Sequence, residues 1–300
     1  MIAQTEATQF FKNLRVERYP FNCQWELTCR CNLKCVMCYT DPFNTPEKIR
    51  QELATEEILR ILEEIREAGC LEVTFTGGEP FLRRDFLDIY TAAVNKGFLV
   101  TIFTNGTLIT PAIADHLKTH LPFLVEISIH AATPSSFDAI TQGRGSYEHC
   151  MEGIQLLLER DIPLMMKTTG MTINKEEIPG IREFVKGLKK VQYKFGADIR
   201  AGLDGSEEAI QKFQLPKMEI KDIEYADPDF KAERQKQDRE KKEQERLGGI
   251  PCAGGKQKFH IDAYGQMQIC THKRKFSYDL RKGSFSEGFY KVLPTFPCRQ

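Results

Sequence analysis

Apolar and polar positions along this chain alternate between two patterns. Short runs rich in β-branched and aromatic residues recur at 22–27, 71–76, 99–103, 123–129, 163–169 and 191–197. Runs of this length and composition predict strands buried on both faces. Between them, helical patterns occupy 55–68, 84–96, 110–118, 146–160 and 175–189. Several of these helices carry recognisable ends. Thr55 precedes Glu56 and Glu57, an acidic first turn that complements the helix dipole. Thr110-Pro111 reads as a cap followed by proline at the first helical position, and Gly69 and Gly97 stand where C-terminal caps belong. Strands alternating with helices imply an α/β fold with a parallel sheet, and six strands are too few to close an eight-stranded barrel. Ligands of such sheets sit at the carboxyl ends of the strands.

The pattern changes after residue 224. Residues 225–249 are nearly all charged with mixed signs, which reads as a linker or a solvated helix ended by Gly248-Gly249. Glycine, aromatics and cysteines then return. The segment around 257–270 reads as a hairpin of strands Gln257–Ile261 and Met267–Ile269 joined by a glycine turn. The expected organisation is an N-terminal lead over 1–20, a core over 21–224, a charged linker over 225–249 and a small extension over 250–300.

Composition narrows the function classes. Lys and Arg number 42, as do Asp and Glu, so no electrostatic footprint for nucleic acid appears. No run of apolar residues is long enough to span a membrane, and the first twenty residues lack a signal-peptide core. The expected compartment is the cytoplasm. Ten cysteines there argue for metal binding rather than disulfides.

Three of the ten stand in the spacing C-x3-C-x2-C: Cys31, Cys35 and Cys38, in the loop after the first strand. Three thiolates this close can grip one face of a 4Fe–4S cluster, and because four cysteines normally saturate such a cluster, one iron stays open. A zinc site or redox thiols are the competing readings.

This loop, preceded by the strand Cys23-Gln24-Trp25-Glu26-Leu27-Thr28 and followed by Thr76-Gly77-Gly78-Glu79-Pro80, resembles the radical S-adenosylmethionine (SAM) superfamily, which carries a GGEP motif at the second strand. Met37 departs from the aromatic residue often found before the third cysteine, and Tyr39 follows it. The resemblance implies a partial (β/α)6 TIM-like barrel. It also implies that the open iron chelates SAM, whose reductive cleavage gives a 5′-deoxyadenosyl radical. By the same resemblance Gly77, Gly78 and Glu79 contact the SAM ammonium and Pro80 fixes the turn. Asn105 and Ser128 fall at ribose- or carboxylate-binding positions, Arg144 could pair with the SAM carboxylate, and Tyr39 and Lys167-Thr168-Thr169 are candidates around the adenine. His130 is a candidate substrate-facing residue or proton shuttle, with a satisfied core histidine as the alternative, and Asp198, Arg200 and Asp204 are candidates for the substrate mouth.

Cys252, Gly265 and Cys270 form C-x12-G-x4-C, which resembles the opening of the SPASM domain of peptide-modifying relatives. The resemblance assigns Cys252 and Cys270 to a first auxiliary 4Fe–4S cluster and Cys298 to a second. A shortened "twitch" domain with one cluster is the rival reading. The next cysteine of that motif is expected one residue beyond Gln300, so a truncated form of a longer protein is expected. Cys23, Cys70 and Cys150 read as small apolar packing groups, and Cys29 lies close enough to the loop to be a further candidate ligand.

The expected function is hydrogen abstraction from a peptide, in maturation of a ribosomally made peptide or of a protein. A separate small protein is expected to bind the leader peptide, and a flavodoxin- or ferredoxin-type donor to deliver the electron. A haem-type cofactor maturase and a non-catalytic iron–sulfur protein are the alternatives.

Overall fold

The computed structural model describes residues 18–40, 45–246 and 253–297. The core repeats the strand–helix alternation: β1 (Asn22–Thr28), α1 (Pro46–Gln51), α2 (Thr55–Glu67), β2 (Glu72–Gly77), α3 (Phe86–Asn95), β3 (Leu99–Thr104), α4 (Pro111–Thr119), β4 (Leu124–Ser128), α5 (Pro134–Thr141), α6 (Ser146–Leu158), β5 (Leu164–Thr169), α7 (Ile178–Lys186) and β6 (Val191–Gly196). Three more helices follow, α8 (Glu208–Phe213), α9 (Lys217–Ala226) and α10 (Pro228–Arg246). The charged run is therefore helical over most of its length, as a solvated helix with very few apolar residues. Helices α1, α5, α8 and α9, six to ten residues long, escape the sequence pattern.

Strands β1 to β6 lie side by side in chain order, and each neighbouring pair is parallel. The sheet then continues past β1. Strand β7 (Lys258–Ile261) pairs parallel with β1, and β8 (Gln266–Gln268) and β9 (Tyr278–Asp279) follow antiparallel, giving nine strands in all. The predicted hairpin thus docks onto the core sheet through its own backbone hydrogen bonds. Its turn needs Gly265, whose φ is +82° and where a Cβ would lie 2.9 Å from Leu53.

The expectation of strands buried on both faces holds for the middle of β4 and the end of β1 but needs correction at β3 and β5, along which burial alternates. One face, with Trp25, Phe75, Ile102, Ile127 and Met166, is fully buried under the helices, and Phe75 meets Phe86 of α3 edge-on at 6.2 Å. The other face carries polar residues such as Glu26, Thr74, Glu126 and Lys167. A sheet that does not close into a barrel leaves its concave face open, and polar groups line it. Local signals behave mostly as expected. The Thr110 hydroxyl caps α4 by accepting from Ile113 N–H, and Gly69 and Gly97 both adopt φ of +87°. The acidic first turn of Glu56 and Glu57 is present, with Glu57 accepting from Ala54 N–H, while Thr55 Oγ1 donates to Asp85 at 2.6 Å.

Candidate active site

The cysteine loop, the GGEP corner, Asn105 and Ser128 lie at the carboxyl ends of β1 to β4. The cysteine loop leaves β1 and is pinned along its length. Glu52, 9% exposed, accepts from Thr28 Oγ1 at 2.6 Å and Cys29 N–H at 3.0 Å, and pairs with Arg30 at 3.0 Å. Further along, Lys34 N–H and Val36 N–H donate to the carbonyls of Thr141 and Ile140, at the end of α5. From the other side the GGEP corner packs directly on this loop, with Gly78 N–H on Thr28 O at 2.8 Å and Glu79 N–H on Arg30 O at 2.7 Å. A Cβ on Gly77 would stand 2.1 Å from Thr28 O, and one on Gly78 2.0 Å from Arg30 O. The two glycines are thus required by the approach of one loop to another.

The three sulfurs are neighbours. Burial pushes the Cys35 thiol up, and the proximity of Cys38 and Cys31 adds to that; burial likewise lifts Cys31 to about 11. Thiolates gathered this way repel one another and need cationic metal beside them to ionise. Cys31 Sγ receives Leu33 N–H at 3.4 Å and Asn105 Nδ2 at 3.8 Å, and Cys38 Sγ lies 3.1 Å from Thr40 Oγ1. Among the described residues no three Cys, His, Asp or Glu side chains converge on a single metal ion. In an iron–sulfur cluster each cysteine ligates its own iron, so three adjacent but unconverged thiols fit a cluster better than one zinc ion.

Glu79 is fully buried. Its carboxylate accepts from Thr104 Oγ1 and Asn105 N–H, both at 2.8 Å, and from Phe81 N–H at 3.2 Å. Burial with no cation beside it raises its pKa to about 7 against those three donors. The side chain therefore ties the β2 corner to the end of β3, and Asn105 is further fixed by Asn32 and Thr107. Pro80 opens a short 3-10 turn, and Arg83 just after it is buried, donating to Leu27 O and Leu53 O and pairing with Asp85.

Ser128 ends β4, half-buried, beside Lys167 of β5. His130 is buried, and its Nδ1 accepts Thr169 N–H at 3.3 Å. Desolvation, aided by Lys167, lowers it to about 4, so the ring is neutral near pH 7. Asn174 Nδ2 completes that corner, donating to His130 O and Thr169 O. Arg144 is exposed in the loop before α6, where Gly143 packs on Leu33 of the cysteine loop. Tyr39 is half-buried, with the guanidinium carbons of Arg200 and Arg274 at 5.4 and 5.7 Å from its ring centre.

The extension meets the site through Glu26, which points from β1 onto the concave face. Arg274 reaches it with both terminal nitrogens, at 2.5 and 2.8 Å, and His260 Nε2 lies 3.4 Å away. Burial alone would raise the Glu26 pKa, but Arg274 and His260 outweigh it and hold the carboxyl at about 2. Cys270 and Ala253 line one cavity of about 330 Å³ together with Gln24 and His260. Cys252 and Cys298 lie outside the described residues. Cys23, Cys29, Cys70 and Cys150 are buried, and desolvation raises all four thiols.

Glu52, Arg83, Asn174 and the Glu26–Arg274 pair were not anticipated from the sequence. Only Glu26 carried a signal there, as a lone carboxylate inside an apolar strand, which must find a partner when buried.

Known proteins bear on this arrangement. Over 169 residues the chain is 34% identical to an AdoMet-dependent heme synthase of Methanosarcina barkeri, covering 56% of this chain and 48% of that protein. A PqqA peptide cyclase of Granulibacter bethesdensis is 29% identical over 169 residues, 56% of this chain and 45% of the relative. The chain thus spans about half the length of the curated relatives it matches. Streptococcus suis SuiB bound to precursor peptide SuiA superposes with a TM-score of 0.74 at 15% identity, covering 96% of this chain and 68% of that one. Native anSMEcpe with bound AdoMet gives 0.67 at 16% identity, covering 91% and 82%. The Radical SAM superfamily profile matches residues 25–185, more than half the chain and the whole of the site built on β1 to β5, and the chain belongs to that superfamily.

Proposed function

We propose that this chain is the SAM-cleaving part of an enzyme that abstracts a hydrogen atom from a peptide. The observation that carries this reading is the cysteine loop held rigidly against the GGEP corner at the open end of the sheet, with the extension hydrogen-bonded to the same strand, β1. A 4Fe–4S cluster on Cys31, Cys35 and Cys38 would bind SAM at its open iron and supply the electron that releases the 5′-deoxyadenosyl radical.

The chain's own residues then have definable tasks. Leu33 N–H and Asn105 Nδ2 hydrogen-bond Cys31 Sγ and favour its thiolate. The backbone of Gly77 and Gly78 lies beside the loop for the SAM ammonium, and Glu79 and Pro80 fix that corner. Ser128 and Asn105, at the ends of β4 and β3, face the ribose and carboxylate side, Tyr39 and Thr169 at the end of β5 the adenine, and exposed Arg144 supplies a cation for the carboxylate. His130 is a positioning residue in this scheme, because a neutral buried ring that accepts Thr169 N–H braces β4 against β5. Cys270, with Cys252 and Cys298, belongs to the auxiliary clusters of the extension. A flavodoxin- or ferredoxin-type donor supplies the electron, and a separate small protein presents the leader peptide.

The peptide reading is supported by likeness across the extension, which the 96% coverage of the peptide-bound SuiB structure includes. A second reading, a tetrapyrrole substrate, is favoured by relatives named heme synthase and Fe-coproporphyrin III synthase. The test is reduced, iron-loaded protein given SAM and either a candidate precursor peptide or Fe-coproporphyrin III. A mass change in the peptide that scales with 5′-deoxyadenosine supports the first reading. An unaltered peptide with a consumed porphyrin replaces it with the second.

A further inference from the structure

Three segments distant in sequence meet around Tyr39. The end of the cysteine loop supplies the ring. The loop after β6 supplies Arg200 and, through Leu203 N–H, a 2.9 Å hydrogen bond to Tyr39 O. The segment after Cys270 supplies Arg274 on the same ring, and Thr271, whose hydroxyl accepts from Arg200 Nη1 at 3.2 Å.

The charges in this cluster do not cancel. Arg274 is neutralised by buried Glu26. Arg200 and Lys273 are exposed, and neither has a carboxylate within 4.0 Å among the described residues. Asp204, in the loop of Arg200, instead accepts Ser206 N–H at 2.8 Å. Like charges gathered without counter-ions cost free energy in the isolated protein, and complementary anions offset that cost on binding. Tyr39 and Thr271 directly follow Cys38 and Cys270 in the chain.

We propose that Arg200, set over the Tyr39 ring, and Lys273, next to Arg274 in the chain, form a carboxylate-recognition site for the substrate. The proposal rests on the reading of this open end as the substrate entrance and names the group recognised there. The carboxylates can belong to acidic side chains of a peptide or to propionates of a tetrapyrrole, and guanidinium and ammonium groups hold either.

The test is equilibrium binding to the whole iron-loaded chain with SAM present. One arm compares a fluorescent peptide bearing several glutamates with its glutamine counterpart; the other compares coproporphyrin III with its tetramethyl ester. The proposal expects at least one acidic probe to bind about tenfold or more tightly than its neutral partner, with affinity falling as salt rises. The double variant Arg200→Glu, Lys273→Glu is expected to erase that preference, and Arg200→Lys to keep most of it. Both side chains are exposed, and thermal unfolding of the variants checks that they fold. Equal binding of acidic and neutral probes, or wild-type affinity in the double variant, overturns the site. Release of 5′-deoxyadenosine by the wild type is scored separately: release without carboxylate-dependent binding sinks only this site, and carboxylate-dependent binding without release sinks the proposed reaction while sustaining the site.

Discussion

Glu79 and Glu26 are both buried glutamates at the carboxyl end of the sheet, yet they hold their surroundings by opposite physics. Glu79, in the corner shared by β2, β3 and the cysteine loop, receives only neutral donors and is raised to about 7. Glu26, in the seam between β1 and the extension, faces a guanidinium and an imidazole and is held at about 2. Three hydrogen bonds from neutral groups do not offset the loss of water around a carboxylate, whereas a two-pronged arginine does. The first corner combines main-chain contacts between two loops with neutral hydrogen bonds to the Glu79 side chain. The seam depends on one ion pair between residues 248 positions apart.

Variants can break this comparison. The largest effect belongs to Arg274→Ala, which leaves the Glu26 charge buried without its guanidinium and should cost about 3–5 kcal/mol in urea unfolding. Retention of wild-type stability would show that the pair does not hold the extension. Gly78→Ala comes next, at about 3 kcal/mol, because the new Cβ at 2.0 Å from Arg30 O must displace the residue before Cys31. Iron content after reconstitution should fall with it. Glu79→Gln should cost only about 1 kcal/mol, since it keeps the shape and loses part of the hydrogen bonding without stranding a charge.

The same comparison can be read in the pH dependence. Glu26 has a folded pKa below its ordinary value of 4.5, so its contribution is present above pH 4.5 and is lost as pH falls toward 2. Glu79 has a folded pKa above 4.5, so its protonated form favours the fold below pH 4.5, and that contribution is lost as pH rises to about 7. Denaturation midpoints of Glu79→Gln should therefore lose slope between pH 4.5 and 7, and an unchanged slope there would remove the assignment.

The two regions also differed in how far the sequence revealed them. The cysteine loop and GGEP are short, contiguous motifs, so Cys31, Cys35, Cys38 and Gly77 to Pro80 were readable with the six core strands. Their geometric reason was not readable: the approach of Gly77 and Gly78 to the Thr28 and Arg30 carbonyls exists only after β1 and β2 pair. The seam was nearly invisible, because Glu26, His260 and Arg274 share no local pattern. Strand β7 was anticipated as half of a hairpin, while its parallel pairing with β1 follows from tertiary assembly. Helix α5, which holds Lys34 and Val36, was missed because Phe137, Ala139 and Ile140 are its few apolar positions.

The central claim is that the three-cysteine loop, braced by the GGEP corner, cleaves SAM. The most direct measurement is 5′-deoxyadenosine release by the reduced, iron-loaded chain, run beside Cys35→Ala and Cys270→Ala. The account predicts release by the wild type, none above background by Cys35→Ala, and release retained by Cys270→Ala. Equal loss from both variants, or no release from a wild type that holds an intact cluster, would contradict it.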